Sequence, residues 1–66
     1  MNIFLNGNPQ QCDENTDLPQ LLDRFQLSAQ RIAVEVNGEL VPRSEHAQRH
    51  LCEGDRVEVI QAVGGG

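Results

Sequence analysis

Two Asn-Gly pairs constrain this chain more than anything else in it. Asn37-Gly38 separates "RIAVEV" from "ELV". A two-residue hairpin loop needs positive φ at both central positions, and Asn-Gly supplies this at low steric cost. Ile32, Val34 and Val36 alternate with Ala33 and Glu35, the two-residue period of a half-buried strand. Pro42 ends the second arm. The other pair, Asn6-Gly7, lies in "NGNP" after "MNIFL". Met1, Ile3 and Leu5 fall on one face of that first strand, and Asn2 and Phe4 fall on the other. "QQC" is expected as the short return strand.

Between the hairpins, "TDLPQLLDRF" reads as a helix. Thr16 is the expected N-cap, Asp17 suits the positive helix end, and Pro19 sits in the first turn, where no N–H partner is lost. Leu18, Leu21, Leu22 and Phe25 make one apolar stripe, expected to pack in the core. "SEHAQRHL" is expected as a short helical turn capped by Ser44, and "EGD" as a turn. "RVEVIQA" is the last strand, with Val57 and Val59 facing one way and Arg56, Glu58, Ile60 and Ala62 the other. One helix covers only one face of a sheet, so the expected fold is α+β, with four to five strands.

The 66 residues suffice for one domain. At this size folding buries roughly 60% of the unfolded chain's surface, which leaves little room for an active-site cleft with its own walls. The formal charge is −5. The five cationic residues are all Arg, spread singly, and there is no Lys. Nucleic-acid binding needs a clustered basic face, and anionic lipid repels an acidic surface, so neither partner is expected. A basic protein surface is the expected partner. Without Lys there is no Schiff-base lysine, no phosphate-loop lysine and no internal acceptor for an isopeptide bond. The N-terminal segment has neither a basic region nor a long apolar run, so the expected location is the cytoplasm.

The candidate chemical groups are few. His46 and His50, four apart, would share a helix face, and with Glu45 or Cys52 a zinc site is conceivable. The segment is short and polar, so a solvated face is expected and no metal. Cys12 and Cys52 form no CxxC; in a reducing compartment they read as small half-buried apolar residues rather than a redox thiol or a disulfide. No two carboxylates are placed together in an apolar setting for acid–base work, and Asp55 reads as a turn residue. The terminal glycines are not followed by the helix that a phosphate loop requires.

That leaves "VGGG", residues Val63 to Gly66. Residues 1–62 are expected as the folded domain and 63–66 as a flexible tail. Extended, the tail reaches roughly 13 Å at about 3.3 Å per residue, enough to thread the Gly66 carboxylate into another protein's site. Glycine keeps the thread narrow and opens φ/ψ values barred to other residues. Ordering four such residues costs about 4–8 kcal/mol, with little apolar area to offset it. A partner must therefore grip the body too. If the first and last strands are neighbours, Phe4, Ile60 and Ala62 form an exposed apolar patch at the root of the tail, which reads as an interface.

The "VNGELVPR" hairpin from Val36 to Arg43, the "GDRVEVI" strand from Gly54 to Ile60 and the closing "VGGG" together resemble the ThiS family of thiamine-biosynthesis sulfur carriers, ubiquitin-like proteins of the β-grasp fold. The resemblance spans the whole chain. It implies that an ATP-dependent, E1-like enzyme adenylates the Gly66 carboxylate, and that sulfur from a persulfide protein replaces AMP to leave a thiocarboxylate. Thiazole synthase then takes that sulfur. It also implies Val63, Gly64 and Gly65 as the thread, no cofactor held by this chain, and a protein co-substrate rather than an enzyme. The molybdopterin-synthase small subunit shares the fold and the Gly-Gly end. A protein modifier joined through Gly66, and a binding module with an idle tail, are the remaining alternatives.

Overall fold

The computed structural model describes residues 1–27 and 31–61. Five strands and one α-helix follow in the order β1 (Asn2–Leu5), β2 (Asn8–Gln11), α1 (Leu18–Arg24), β3 (Ile32–Val36), β4 (Glu39–Val41) and β5 (Arg56–Gln61), with a 3₁₀ helix at Arg43–Gln48 before β5. They form one mixed sheet of order β2-β1-β5-β3-β4. The first and last strands are neighbours and run parallel, with Phe4 opposite Arg56 and Leu5 opposite Val57. The other three pairings are antiparallel.

Both hairpins turn at their Asn-Gly pairs. Asn6 and Gly7 have φ of 50° and 83°, and Asn37 and Gly38 have 55° and 84°. The first turn uses only those two residues. The return strand therefore begins at Asn8, not at "QQC", and Pro9 pairs with Phe4. Proline is tolerated there because β2 is an edge strand, where its missing N–H breaks no interior ladder.

The two-residue period decides which side chains are buried. Ile3, Leu5, Val34, Val36 and Val57 point to the face that α1 covers with Leu18, Leu21 and Leu22, and Cys12, Val41 and Leu51 complete the core. Phe25 is only partly buried and packs at the edge of that cluster.

The ends of α1 differ from the expected ones. Asp17, not Thr16, is the N-cap. Its carboxylate accepts from Gln20 N, and the Gln20 side chain accepts from Asp17 N, a reciprocal capping box. The Thr16 hydroxyl instead donates to Asp13 O. Its carbonyl is held by Leu51 N while Leu18 N donates to Arg49 O, so the helix entrance is pinned to the segment leading to β5. At the other end Leu27 N donates to Leu22 O and Gln26 N to Asp23 O, closing a Schellman motif with Gln26 at φ 58°.

Three other expectations are corrected. Ser44 caps nothing: the 3₁₀ helix starts at Arg43 behind Pro42 with no side-chain cap. His46 is buried rather than solvated, because that helix rolls it inward, and its Nε2 lies 3.1 Å from Val41 O. The cysteines are both free but unlike each other: Cys12 is buried and Cys52 exposed.

Candidate functional site: the uncovered face of the sheet

A sheet covered by helix on one side leaves its other side to solvent unless a partner takes it. That outer face carries Phe4, Arg56, Glu58 and Ile60 from the two central strands, in the expected phase. Phe4 is 39% exposed and Ile60 53%.

The register shows how these residues are arranged. Phe4 stands opposite Arg56, so Ile60 lies four positions further along β5, about 13 Å away at about 3.3 Å per residue. β1 ends at Leu5, opposite Val57, so β1 offers Ile60 no neighbour. The expected patch of Phe4 with Ile60 is therefore two separate apolar spots, with Glu58 between them. The third expected member, Ala62, lies outside the described residues, as do Val63, Gly64, Gly65 and Gly66.

Ile60 has neighbours on its other side. It pairs with Ala33, and one row back Glu58 pairs with Glu35, which in turn pairs with Leu40 of β4. Leu40 is 64% exposed, the highest value of any large apolar side chain among the described residues. The face near the end of β5 thus holds two directly opposed carboxylates flanked by Leu40 and Ile60. Leu40 and the Glu pair had no role in the sequence reading. Leu40 could have been found from its phase, since it is one residue from Val41, which points inward.

The loops at the opposite end of β5 are fastened by side chains. Asp55 is buried, not a simple turn residue: its Oδ1 accepts from Asn37 Nδ2 at 3.0 Å and its Oδ2 from Cys52 N at 2.8 Å. At the β1–β2 turn, Asn6 Oδ1 accepts from Val59 N at 2.8 Å, which carries the β1 side of the sheet past the end of that strand.

On the helix side, Cys12 Sγ lies 3.9 Å from Arg24 Nη1, beside a polar concavity lined by Asp13, Thr16, Gln20 and Asp23. Among the described residues no group of three or more His, Cys, Asp or Glu is placed to hold a metal ion. No helix among them is long and apolar enough to cross a membrane.

The mixed five-stranded sheet with a single α-helix across one face is a β-grasp domain. It superimposes on the crystal structure of the thiamine biosynthesis protein (ThiS) of Geobacter metallireducens with a TM-score of 0.85, at 33% identity and over the whole of both chains. The model of the ThiS family matches residues 3–66, and the chain belongs to that family. It is 29% identical over 66 residues to the sulfur carrier protein ThiS of Escherichia coli, covering all of both chains. It is also 36% identical over 66 residues to the thiazole synthase of Magnetococcus marinus, where it spans 20% of that protein.

Proposed function

We propose that this chain is a sulfur carrier for thiamine biosynthesis, acting as a protein co-substrate. The observation that carries the reading is the extent of the family match, which runs through the body and on to residue 66, so that it includes the glycine run. The relatives named for thiamine biosynthesis and for thiazole synthase favour this pathway over the molybdopterin one.

In this reading residues 1–62 are the body, recognised from outside, and 63–66 the flexible tail. The tail threads Gly66 into an ATP-dependent, E1-like enzyme. There the Gly66 carboxylate attacks the α-phosphorus of ATP, releasing pyrophosphate and giving an acyl-adenylate. A carboxylate is a poor electrophile, and the adenylate turns its oxygen into a leaving group. The terminal sulfur of a partner's persulfide attacks the carbonyl carbon and expels AMP. A second thiol of the partner then cleaves the S–S bond that the persulfide brought with it, leaving the thiocarboxylate on Gly66 and a disulfide on the partner. Thiazole synthase is the acceptor of that sulfur. The thiazole synthase of Magnetococcus marinus, which contains a segment similar to this chain, supports that pairing. All these steps belong in the cytoplasm, where persulfides and ATP coexist.

The body's part is recognition. Phe4 and Ile60 on the outer face, together with Ala62, are the proposed grip, and Val63, Gly64 and Gly65 the thread. The test is intact-mass analysis after incubation with the adenylating enzyme, ATP and a persulfide donor. A gain equal to one oxygen-to-sulfur exchange is expected, and deletion of Gly66 abolishes it. A gain that persists in the deletion variant refutes the assignment.

A further inference from the structure

We propose that Asn6-Gly7 is a self-modifying site: the Asn6 amide is lost in the folded chain by attack from the Gly7 nitrogen, while the matching pair Asn37-Gly38 is kept intact by the hydrogen bonds on its amide. The inference is independent of the sulfur-carrier reading.

The reaction needs nothing beyond the chain and water. The Gly7 backbone nitrogen attacks Asn6 Cγ and gives up its proton, and the side-chain nitrogen leaves as ammonia. Water then opens the five-membered imide at either carbonyl, to aspartate or to isoaspartate. Glycine suits the attack because no Cβ screens its nitrogen. Asn2, Asn8 and Asn15 precede Ile3, Pro9 and Thr16, which carry a branched Cβ or lack an N–H.

The backbone does not set the two turns apart. φ is 50° and 83° at Asn6 and Gly7, and 55° and 84° at Asn37 and Gly38. Both asparagines are exposed. Their amides differ. Both ends of the Asn37 amide are engaged: Nδ2 donates to Asp55 Oδ1 at 3.0 Å, and Oδ1 accepts from Arg56 N at 2.9 Å. To swing Cγ over the Gly38 nitrogen, Asn37 must break both bonds, one of them to a buried carboxylate. Asn6 must break one neutral bond, from Val59 N at 2.8 Å. Its Nδ2, the group that leaves, has no hydrogen-bond partner among the described residues. A bond to a charged group is stronger than a neutral one, and having to break it slows cyclisation by about tenfold or more.

The products differ in the same sense. An aspartate at position 6 keeps an oxygen to accept from Val59 N. An aspartate at position 37 loses the donor to Asp55 and sets a second carboxylate against a buried one, where repulsion is weakly screened. The isoaspartate form at position 6 adds a carbon to the backbone of the β1–β2 turn, which joins only an edge strand to the sheet. The protected amide is the one whose loss loosens the start of β5, and the open amide is the one the fold can lose.

The test is a time course on the full chain at mildly alkaline pH, folded and, in parallel, unfolded in urea. Peptide mapping by mass spectrometry reads the amide-to-acid shift at each asparagine, and isoaspartyl methyltransferase labels the isoaspartate. In the folded chain Asn6 is expected to convert about tenfold faster than Asn37 or more, and in urea the two rates are expected to come together. Equal rates in the folded chain, or an Asn6 that stays intact there, would overturn the inference. A gap of the same size in urea assigns the difference to the flanking sequence and overturns it as well. Thermal unfolding of the product mimics is the second arm. Asn6→Asp is expected to melt with the parent, and Asn37→Asp about 4–8 °C lower. An Asn6→Asp chain that melts as low as Asn37→Asp contradicts the claim that the fold tolerates the change.

Discussion

Asn37 Nδ2 donates to Asp55 Oδ1 at 3.0 Å, which ties the β3–β4 turn to the loop that enters β5. The tie is reciprocal in effect: Asn37 Oδ1 accepts from Arg56 N at 2.9 Å, and Asn37 N donates to Arg56 O at 2.8 Å. A turn residue chosen for its positive φ thereby also sets the register at the start of β5.

Replacing Asp55 removes two acceptors at once and strands the Cys52 N–H and the Asn37 amide. Asp55→Ala is expected to cost about 1–3 kcal/mol. At roughly 4–8 °C per kcal/mol for a domain of this size, thermal unfolding will read this directly. Asp55→Asn keeps one acceptor and should fall between the two.

The Schellman turn at Gln26 asks an L-residue to sit at φ 58°. Glycine has no Cβ to clash there, though it loses more chain entropy on folding. Gln26→Gly is expected to stabilise the domain by about 0.5–1 kcal/mol, visible as a higher midpoint in urea. A lower midpoint would mean that the side chain contributes more than its conformation costs.

The two candidates for the helix cap can be separated by substitution. Asp17→Ala removes the box with Gln20 and should cost about 1 kcal/mol, with Asp17→Asn close to neutral. Thr16→Ala loses only a hydroxyl bond to Asp13 O at an exposed loop and should cost less than half as much. Equal losses in chemical denaturation would contradict the cap assignment.

On the outer face, Ile60→Asp is expected to leave stability within about 1 kcal/mol of the parent, since the side chain packs on no core residue. Binding of the adenylating enzyme should weaken about tenfold, equivalent to about 1.4 kcal/mol. Val59→Asp, one residue earlier, adds a charge against the core and should unfold the domain. A large drop in melting temperature for Ile60→Asp would place it in the wrong phase.

What could be read from the sequence follows the range of the physics involved. Strand phase depends on side chains two apart, so the sequence groups Ile3 with Leu5, Val34 with Val36 and Val57 with Val59 on common faces, and sets Phe4 and Ile60 on the opposite, outward ones. The Asn-Gly turns are equally local. The cap was misplaced by one residue because Thr16 is drawn to Asp13 and Leu51, although Asp17 and Gln20 already stood at the spacing of a capping box. His46 looked solvated because its burial depends on how the 3₁₀ helix packs against α1 and β4. The separation of Phe4 from Ile60, and the meeting of Glu35 with Glu58, depend on how distant strands slide past one another. No window of neighbouring residues carries that information.

The parallel pairing of β1 with β5 has a consequence for synthesis. The first strand made must wait for the last before the middle of the sheet can close, and until then no strand pairing joins the two hairpins. A nascent chain stalled before Arg56 has no assembled body to show, so a partner that reads the sheet surface inspects only molecules translated through β5.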